Sequence, residues 1–127
     1  MNMEMKKLEG ATPALGPYSA GVGFGDLVFV SGQIPTDPQG NLPEGIRAQA
    51  RQSILNVKAV LEAGGSDLRH VVKTTVFLKS MDDFAAVNEV YAEYFDGPVQ
   101  PARSCVQAAK LPKDMPLEIE AIGVRLS

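Results

Sequence analysis

Trp is absent from this chain, and Cys and His each occur once in 127 residues. A single Cys cannot close an intrachain disulfide, so the fold does not depend on an oxidising compartment. One His and one Cys are too few for a zinc site of the usual ligand types. No apolar run approaches the roughly 20 residues that span a bilayer. Residues 1–7 lack the apolar core of a signal peptide. These absences set the expectation of a cytoplasmic protein with no membrane partner. Charge of one sign is also scarce: 12 Lys and Arg face 15 Asp and Glu, a net charge of −3. Residues 1–64 carry 5 basic and 6 acidic side chains and residues 65–127 carry 7 and 9, so neither half is a basic arm or an acidic tail. Phosphate-backbone affinity comes from many cationic contacts, and without a Lys/Arg stripe no nucleic-acid partner is expected.

What is present suits one domain over residues 1–127. A chain of this length buries roughly two-thirds of its unfolded surface, enough for a core without disulfide or metal staples. A 45% hydrophobic and 21% charged composition belongs to a folded, globular chain rather than a disordered one. No repeat or low-complexity tract divides it.

Apolar patterning places the elements. Two prolines and a glycine make residues 11–17 a turn region. Residues 18–24 and 27–31 read as two strands joined at Gly25-Asp26. Three Pro and three Gly make residues 32–45 a loop. Ile46, Ala50, Ile54, Val57 and Leu61 fall on one helical face, predicting a helix over 46–63 that Gly64-Gly65 ends. Residues 71–79 are β-branched and read as a strand. Ser80 is a candidate N-cap for a second helix whose buried stripe is Phe84, Val87, Tyr91 and Phe95. Strands are expected at 103–106 and 117–126, with an extra one near 5–8. Two helices cannot cover both faces of a five- or six-stranded sheet, so both should pack on one face in an α+β layer. A second copy of the chain is the natural cover for the other face, which predicts a closed homo-oligomer.

Several residues could carry chemistry. Arg103 and Cys105 share one side of their strand because side chains alternate. A guanidinium can hold a planar carboxylate through two parallel hydrogen bonds, or it can be one half of an ordinary surface ion pair. Cys105 needs a base or positive field to become a nucleophile; otherwise it is a small buried hydrophobe or the wall of a pocket. Glu118 and Glu120 share a strand face with Ile122 and Val124. Were that face buried, a desolvated carboxylate there would shift upward toward useful acid–base chemistry; on the solvent side both would only solubilise. Gly32, after Ser31, would let a ligand approach the backbone, or would simply turn the chain. Tyr18 leaves a rigid Gly-Pro turn as either a core or an interface aromatic. Asn88 interrupts the second helix and can cap a loop or meet a ligand. His70 reads as structural or solvated. No phosphate loop, dinucleotide fingerprint or Ser-His-Asp order is present.

Taken in order, Gly16-Pro17-Tyr18, Val30-Ser31-Gly32-Gln33-Ile34-Pro35, Gln49-Ala50-Arg51-Gln52-Ser53 with Asn56-Val57-Lys58, residues 72–77, Asp83-Phe84-Ala85 with Val87-Asn88, Pro101-Ala102-Arg103-Ser104-Cys105-Val106 and Glu118-Ile119-Glu120-Ala121 resemble the RidA/YjgF family of reactive enamine/imine deaminases. The resemblance runs from about residue 12 to the C-terminus. It implies a chorismate-mutase-like α+β fold and a homotrimer with clefts between subunits. It also implies cofactor-free, metal-free hydrolysis of 2-imino acids, formed from 2-aminoacrylate and 2-aminocrotonate, to 2-keto acids and ammonia. The enamines come from pyridoxal-phosphate dehydratases, which makes these a functional link. By the same resemblance Arg103 grips the substrate carboxylate, and Glu118 handles the water and the departing amine. Cys105, Tyr18, Ser31, Gly32 and Asn88 complete the pocket. The chain departs from the family at residues 96–100, which look short and carry Gln100 where an aromatic is frequent; that segment is expected to border the cleft.

This reading requires Arg103 and Glu118, on two neighbouring β-segments, to meet across a gap the width of a three- or four-carbon acid. Three other functions stay open: a non-catalytic trimer that binds small carboxylates, an RNA-cleaving or translation-inhibiting protein, and a holdase-like chaperone, which would need an exposed apolar patch.

Overall fold

The structure, a computed structural model, describes residues 4–126. Six strands form one mixed sheet: β1 (Lys6–Leu8), β2 (Gly21–Phe24), β3 (Leu27–Gln33), β4 (Val71–Leu78), β5 (Ala102–Gln107) and β6 (Leu117–Val124). Their spatial order is β1-β2-β3-β6-β4-β5. The β4–β5 pair is parallel and the other pairs are antiparallel. A parallel pair needs a long crossover, and here the connection contains α2 (Phe84–Tyr94).

Helix α1 spans Ile46–Ala63, where the apolar spacing predicts it. It ends as expected at the glycine pair. Gly65 takes the left-handed conformation (φ 83°) that costs a glycine little. Ile54, Val57, Val60 and Leu61 of α1 are fully buried, as are Val28 of β3 and Ile119 of β6. Val87, Val90 and Phe95 from the α2 region extend this core over Val76 and Leu78 of β4. Both helices therefore lie on one face of the sheet. Ser80 caps a single 3-10 turn, Met81–Asp83, that feeds α2, its side chain accepting from the Asp82 N–H.

The strand expected at 18–24 starts later, at Gly21. Pro17 and the Tyr18 N–H→Gly16 carbonyl bond (2.8 Å) keep residues 16–18 in a tight turn. Strand β3 is longer than expected because a bulge between Val30 and Gln33 lets it continue beyond Ser31. Such a bulge adds one residue to one strand and re-aims the side chains beyond it.

The face without helices carries Leu27 and Phe29 of β3, Ile122 and Val124 of β6 beside them in register, and Phe77 with Val106 across β4–β5. Leu27, Phe29 and Val106 are exposed.

Candidate active site

Register decides where the chemistry-bearing side chains go. In the parallel β4–β5 ladder Arg103 lies beside Thr74 and Cys105 beside Val76. Thr74 and Val76 are buried under the helices, so Arg103 and Cys105 point to the helix face. In the antiparallel β4–β6 ladder Glu118 lies beside Phe77 and Glu120 beside Thr75. These alternate with Thr74 and Val76, so both carboxylates point to the other, uncovered face. Within one chain, then, Arg103 and Glu118 do not converge. Nor are their strands neighbours, because β4 separates β5 from β6. The expectation that the two groups meet from adjacent segments is corrected for a single copy: alternation fixes faces within a strand, and the insertion of β4 sets the relation between strands.

Two half-sites result. In the first, the Arg103 guanidinium donates to Asn88 Oδ1 at 2.6 Å. It lies over the rings of Tyr91 and Phe84, 4.8 and 5.6 Å from their centroids. Cation–π contact and one charge-assisted bond hold the fork in a fixed plane. Tyr91 is in turn fixed by a 2.7 Å hydroxyl bond with buried Thr74 and by stacking on Phe95 at 4.3 Å. Burial raises the Tyr91 pKa, with the Thr74 bond and the Arg103 charge opposing, so the ring stays neutral beside the cation. Burial likewise raises the Cys105 thiol, against the pull of Arg103. A thiol held protonated is a poor nucleophile.

In the second half-site, Glu118 lies across Gly32 so closely that a Cβ there would sit 2.5 Å from its carboxylate carbon. Only glycine leaves this room. A cavity of about 320 Å³ opens beside it, lined by Tyr18, Gly32 and Glu118 together with loop residues 12–15, Ile34, 36–38 and Pro112-Lys113. Tyr18 is anchored there by its hydroxyl, which accepts from the Leu15 N–H. Burial raises the Glu118 pKa, and the charge of Glu120 raises it further. Glu120 itself is exposed. Of the two readings of this strand face, then, Glu118 follows the desolvated one and Glu120 the solvated one.

Ser31 does not line the cavity. Its hydroxyl donates to the Ser19 carbonyl at 2.6 Å and pins the turn that carries Tyr18. Asn88 touches Arg103 rather than a loop. The 96–100 segment contributes no lining to this cavity; Gln100 donates back to the Phe95 carbonyl. His70 pairs with Asp67, whose pKa it lowers, at a 3-10 turn that Asp67 caps. Among the described residues no cluster of His, Cys, Asp and Glu could hold a metal ion. Sequence reasoning missed the aromatic bed of Arg103. Its signal was present: Phe84, Asn88 and Tyr91 recur at i, i+4 and i+7, one face of a helix.

The model of the family described as Endoribonuclease L-PSP matches residues 9–125. The chain belongs to this family, RidA/YjgF. The 2-iminobutanoate/2-iminopropanoate deaminase of Salmonella typhimurium is 53% identical over 120 residues, covering 92% of this chain and 94% of the relative. That of Escherichia coli K12 is 52% identical over the same shares. Among solved structures, E. coli TdcF with bound serine superposes with a TM-score of 0.90 at 49% identity, covering 95% of this chain and 99% of that one. The E. coli YjgF gene product superposes at 0.89 with 48% identity, covering 95% and 99%. The RidA/YjgF chain described here shares their six-stranded sheet and two helices.

Proposed function

We propose that this chain, as one domain in a chorismate-mutase-like homotrimer, hydrolyses 2-imino acids to 2-keto acids and ammonia. The observation that carries the reading is the pair of half-sites: a fixed guanidinium on one sheet face, and a desolvated carboxylate over Gly32, beside a cavity, on the other. Two groups on opposite faces act on one small molecule only when they come from different copies. The exposed Leu27, Phe29 and Val106 on the helix-free face offer the apolar surface for that assembly.

Arg103 of one copy binds the substrate carboxylate through its fork and so orients the imine carbon. As a water oxygen bonds to that carbon, its proton passes to Glu118 of the next copy. Glu118 then returns the proton to the nitrogen of the carbinolamine formed from the protonated imine; as the C–N bond breaks and the C=O bond forms, the hydroxyl proton passes back to Glu118, and ammonia leaves a keto acid. Positioned acid–base help of this kind contributes about 10²–10⁴-fold. Cys105, Tyr18 and Gly32 shape the pocket, Asn88 orients Arg103, and Ser31 holds the Tyr18 turn. The imines are tautomers of the 2-aminoacrylate and 2-aminocrotonate that pyridoxal-phosphate dehydratases release, which makes those enzymes the suppliers. Serine, bound in the TdcF structure, is a three-carbon amino carboxylate of the size this reading requires.

The test couples a serine or threonine dehydratase to the purified chain and follows keto-acid release. Release faster than the uncatalysed rate, and lost in Arg103→Ala, is expected; an unchanged rate in Arg103→Ala contradicts the assignment. A non-catalytic carboxylate binder would keep its ligand affinity in Glu118→Ala and would never accelerate release. The family description names an endoribonuclease; with a net charge of −3 the chain has no cationic excess to hold RNA.

A further inference from the structure

Three carboxamides of α1, Gln49, Gln52 and Asn56, recur at i, i+3 and i+7 along one side of the helix. The assigned chemistry uses none of them. Asn56 is 1% exposed. Its side-chain nitrogen donates to the carbonyls of Ile34 (3.0 Å) and Thr36 (2.8 Å), so both amide hydrogens are engaged. Its oxygen accepts from Gln52 Nε2 at 3.0 Å, which fixes which way the amide faces. Gln49 Nε2 holds the Pro43 carbonyl at 2.9 Å, at the far end of the same loop.

An asparagine inside a helix is a mediocre choice, and a buried amide is costly unless every group is paired. Here each is paired, and the partners are backbone carbonyls of a loop that has no ladder of its own. That loop holds Pro35, Pro38 and Pro43, and Ile34, Thr36, Asp37 and Pro38 face the Glu118 cavity. Apart from the Gln49 bond at its far end, its other ties are internal: the Asp37 carboxylate accepts from the N–H groups of Gln39 and Asn41, and the Asp37 backbone bonds Gly40 and Asn41. Asn56 is therefore the link between the cavity wall and the rigid helix.

We propose that Asn56 is a positioning residue that sets the wall of the Glu118 cavity, through the 34–36 backbone, and thereby selects the imine side chain that turns over. This deepens the deaminase reading and rests on it. The side chain of a substrate clamped at its carboxylate and attacked beside Glu118 extends toward that wall. A shift of about 1 Å in a positioning group can cost about 100-fold in rate, and such a shift falls unequally on short and bulky side chains.

The experiment compares wild type, Asn56→Asp and Gln52→Leu. Asn56→Asp keeps the shape but cannot donate to two carbonyls. Gln52→Leu removes only the group that orients the amide, at a half-buried position. Measured for each are kcat and KM with 2-iminopropanoate and with a branched aliphatic 2-imino acid, the melting temperature, and amide hydrogen exchange at residues 34–38. Expected is a shift of about tenfold in the short-to-branched ratio of kcat/KM in Asn56→Asp, a smaller shift in the same direction in Gln52→Leu, and faster exchange confined to 34–38. An unchanged ratio with only a lower melting temperature overturns the proposal and leaves Asn56 a core amide. If Asn56→Asp does not fold, Gln52→Leu decides by the same criteria. If wild type hydrolyses neither imine, the deaminase reading fails, and the exchange data still report whether Asn56 holds this wall.

Discussion

Gly32→Ala separates folding from chemistry at one methyl group. Gly32 is not among the glycines with positive φ, so its backbone accepts alanine. The added Cβ would lie 2.5 Å from Cδ and Oε1 of Glu118 and 2.7 Å from its Cγ. Comfortable carbon contacts sit at about 3.5–4.0 Å, so the carboxylate must retreat by about 1 Å. The atoms that give way are the far end of a flexible side chain, and the fold tolerates this at a cost of about 1 kcal/mol. Catalysis does not tolerate it: misplacing a reacting group by about 1 Å costs about 100-fold, or about 2.7 kcal/mol of barrier. The assay is keto-acid release from a dehydratase-coupled reaction, run beside circular dichroism, melting temperature and oligomer mass. A folded Gly32→Ala protein with a rate about 100-fold below wild type is expected. A folded variant at the wild-type rate refutes the placement of Glu118 as the acid–base group.

Arg103→Lys keeps the charge but loses the fork and its seat on Tyr91, and should raise KM about tenfold or more with the oligomer intact, read by steady-state kinetics. With Glu118 acting as base, kcat/KM should rise with pH through an inflection above the ordinary 4.5 of a glutamate, and Glu120→Gln should lower that inflection by removing the second cause of the shift. The raised pKa also means that folding favours protonated Glu118. The stability this confers is full below the unfolded pKa and fades as pH rises through the folded one. Glu118→Gln should therefore be inactive, yet at neutral pH at least as resistant to urea as wild type. Cys105→Ser should keep most of its activity, since the thiol is held protonated; complete loss would point to covalent catalysis.

Helix α1 was legible to the residue because five apolar positions at helical spacing end at two glycines. The half-covered sheet was legible too, from the count of helices against strands. The placement of Arg103 and Glu118 on opposite faces of the sheet was not. Alternation places Arg103 with Cys105 and Glu118 with Glu120, but gives no common face for two strands that a third separates. That relation depends on the parallel crossover through α2, which puts β5 at the sheet edge and lets β6 enter between β3 and β4. The turn at Gly16-Pro17-Tyr18 was visible as turn chemistry, whereas its consequence, a shortened β2 and a Tyr18 ring at the cavity, came from the Leu15 and Ser31 bonds to that turn. The amide stripe of α1 stood in the sequence with no sign of the loop it holds.

In the proposed deaminase, one working site takes Arg103 from one copy and Glu118 from another. Co-expressing Arg103→Ala with Glu118→Ala tests it, because each variant alone is expected to lose nearly all keto-acid release. Random assembly into closed rings gives about one quarter of the sites an intact Arg103 facing an intact Glu118. Recovery of about one quarter of wild-type keto-acid release is expected. A mixed assembly as inactive as its two components contradicts it.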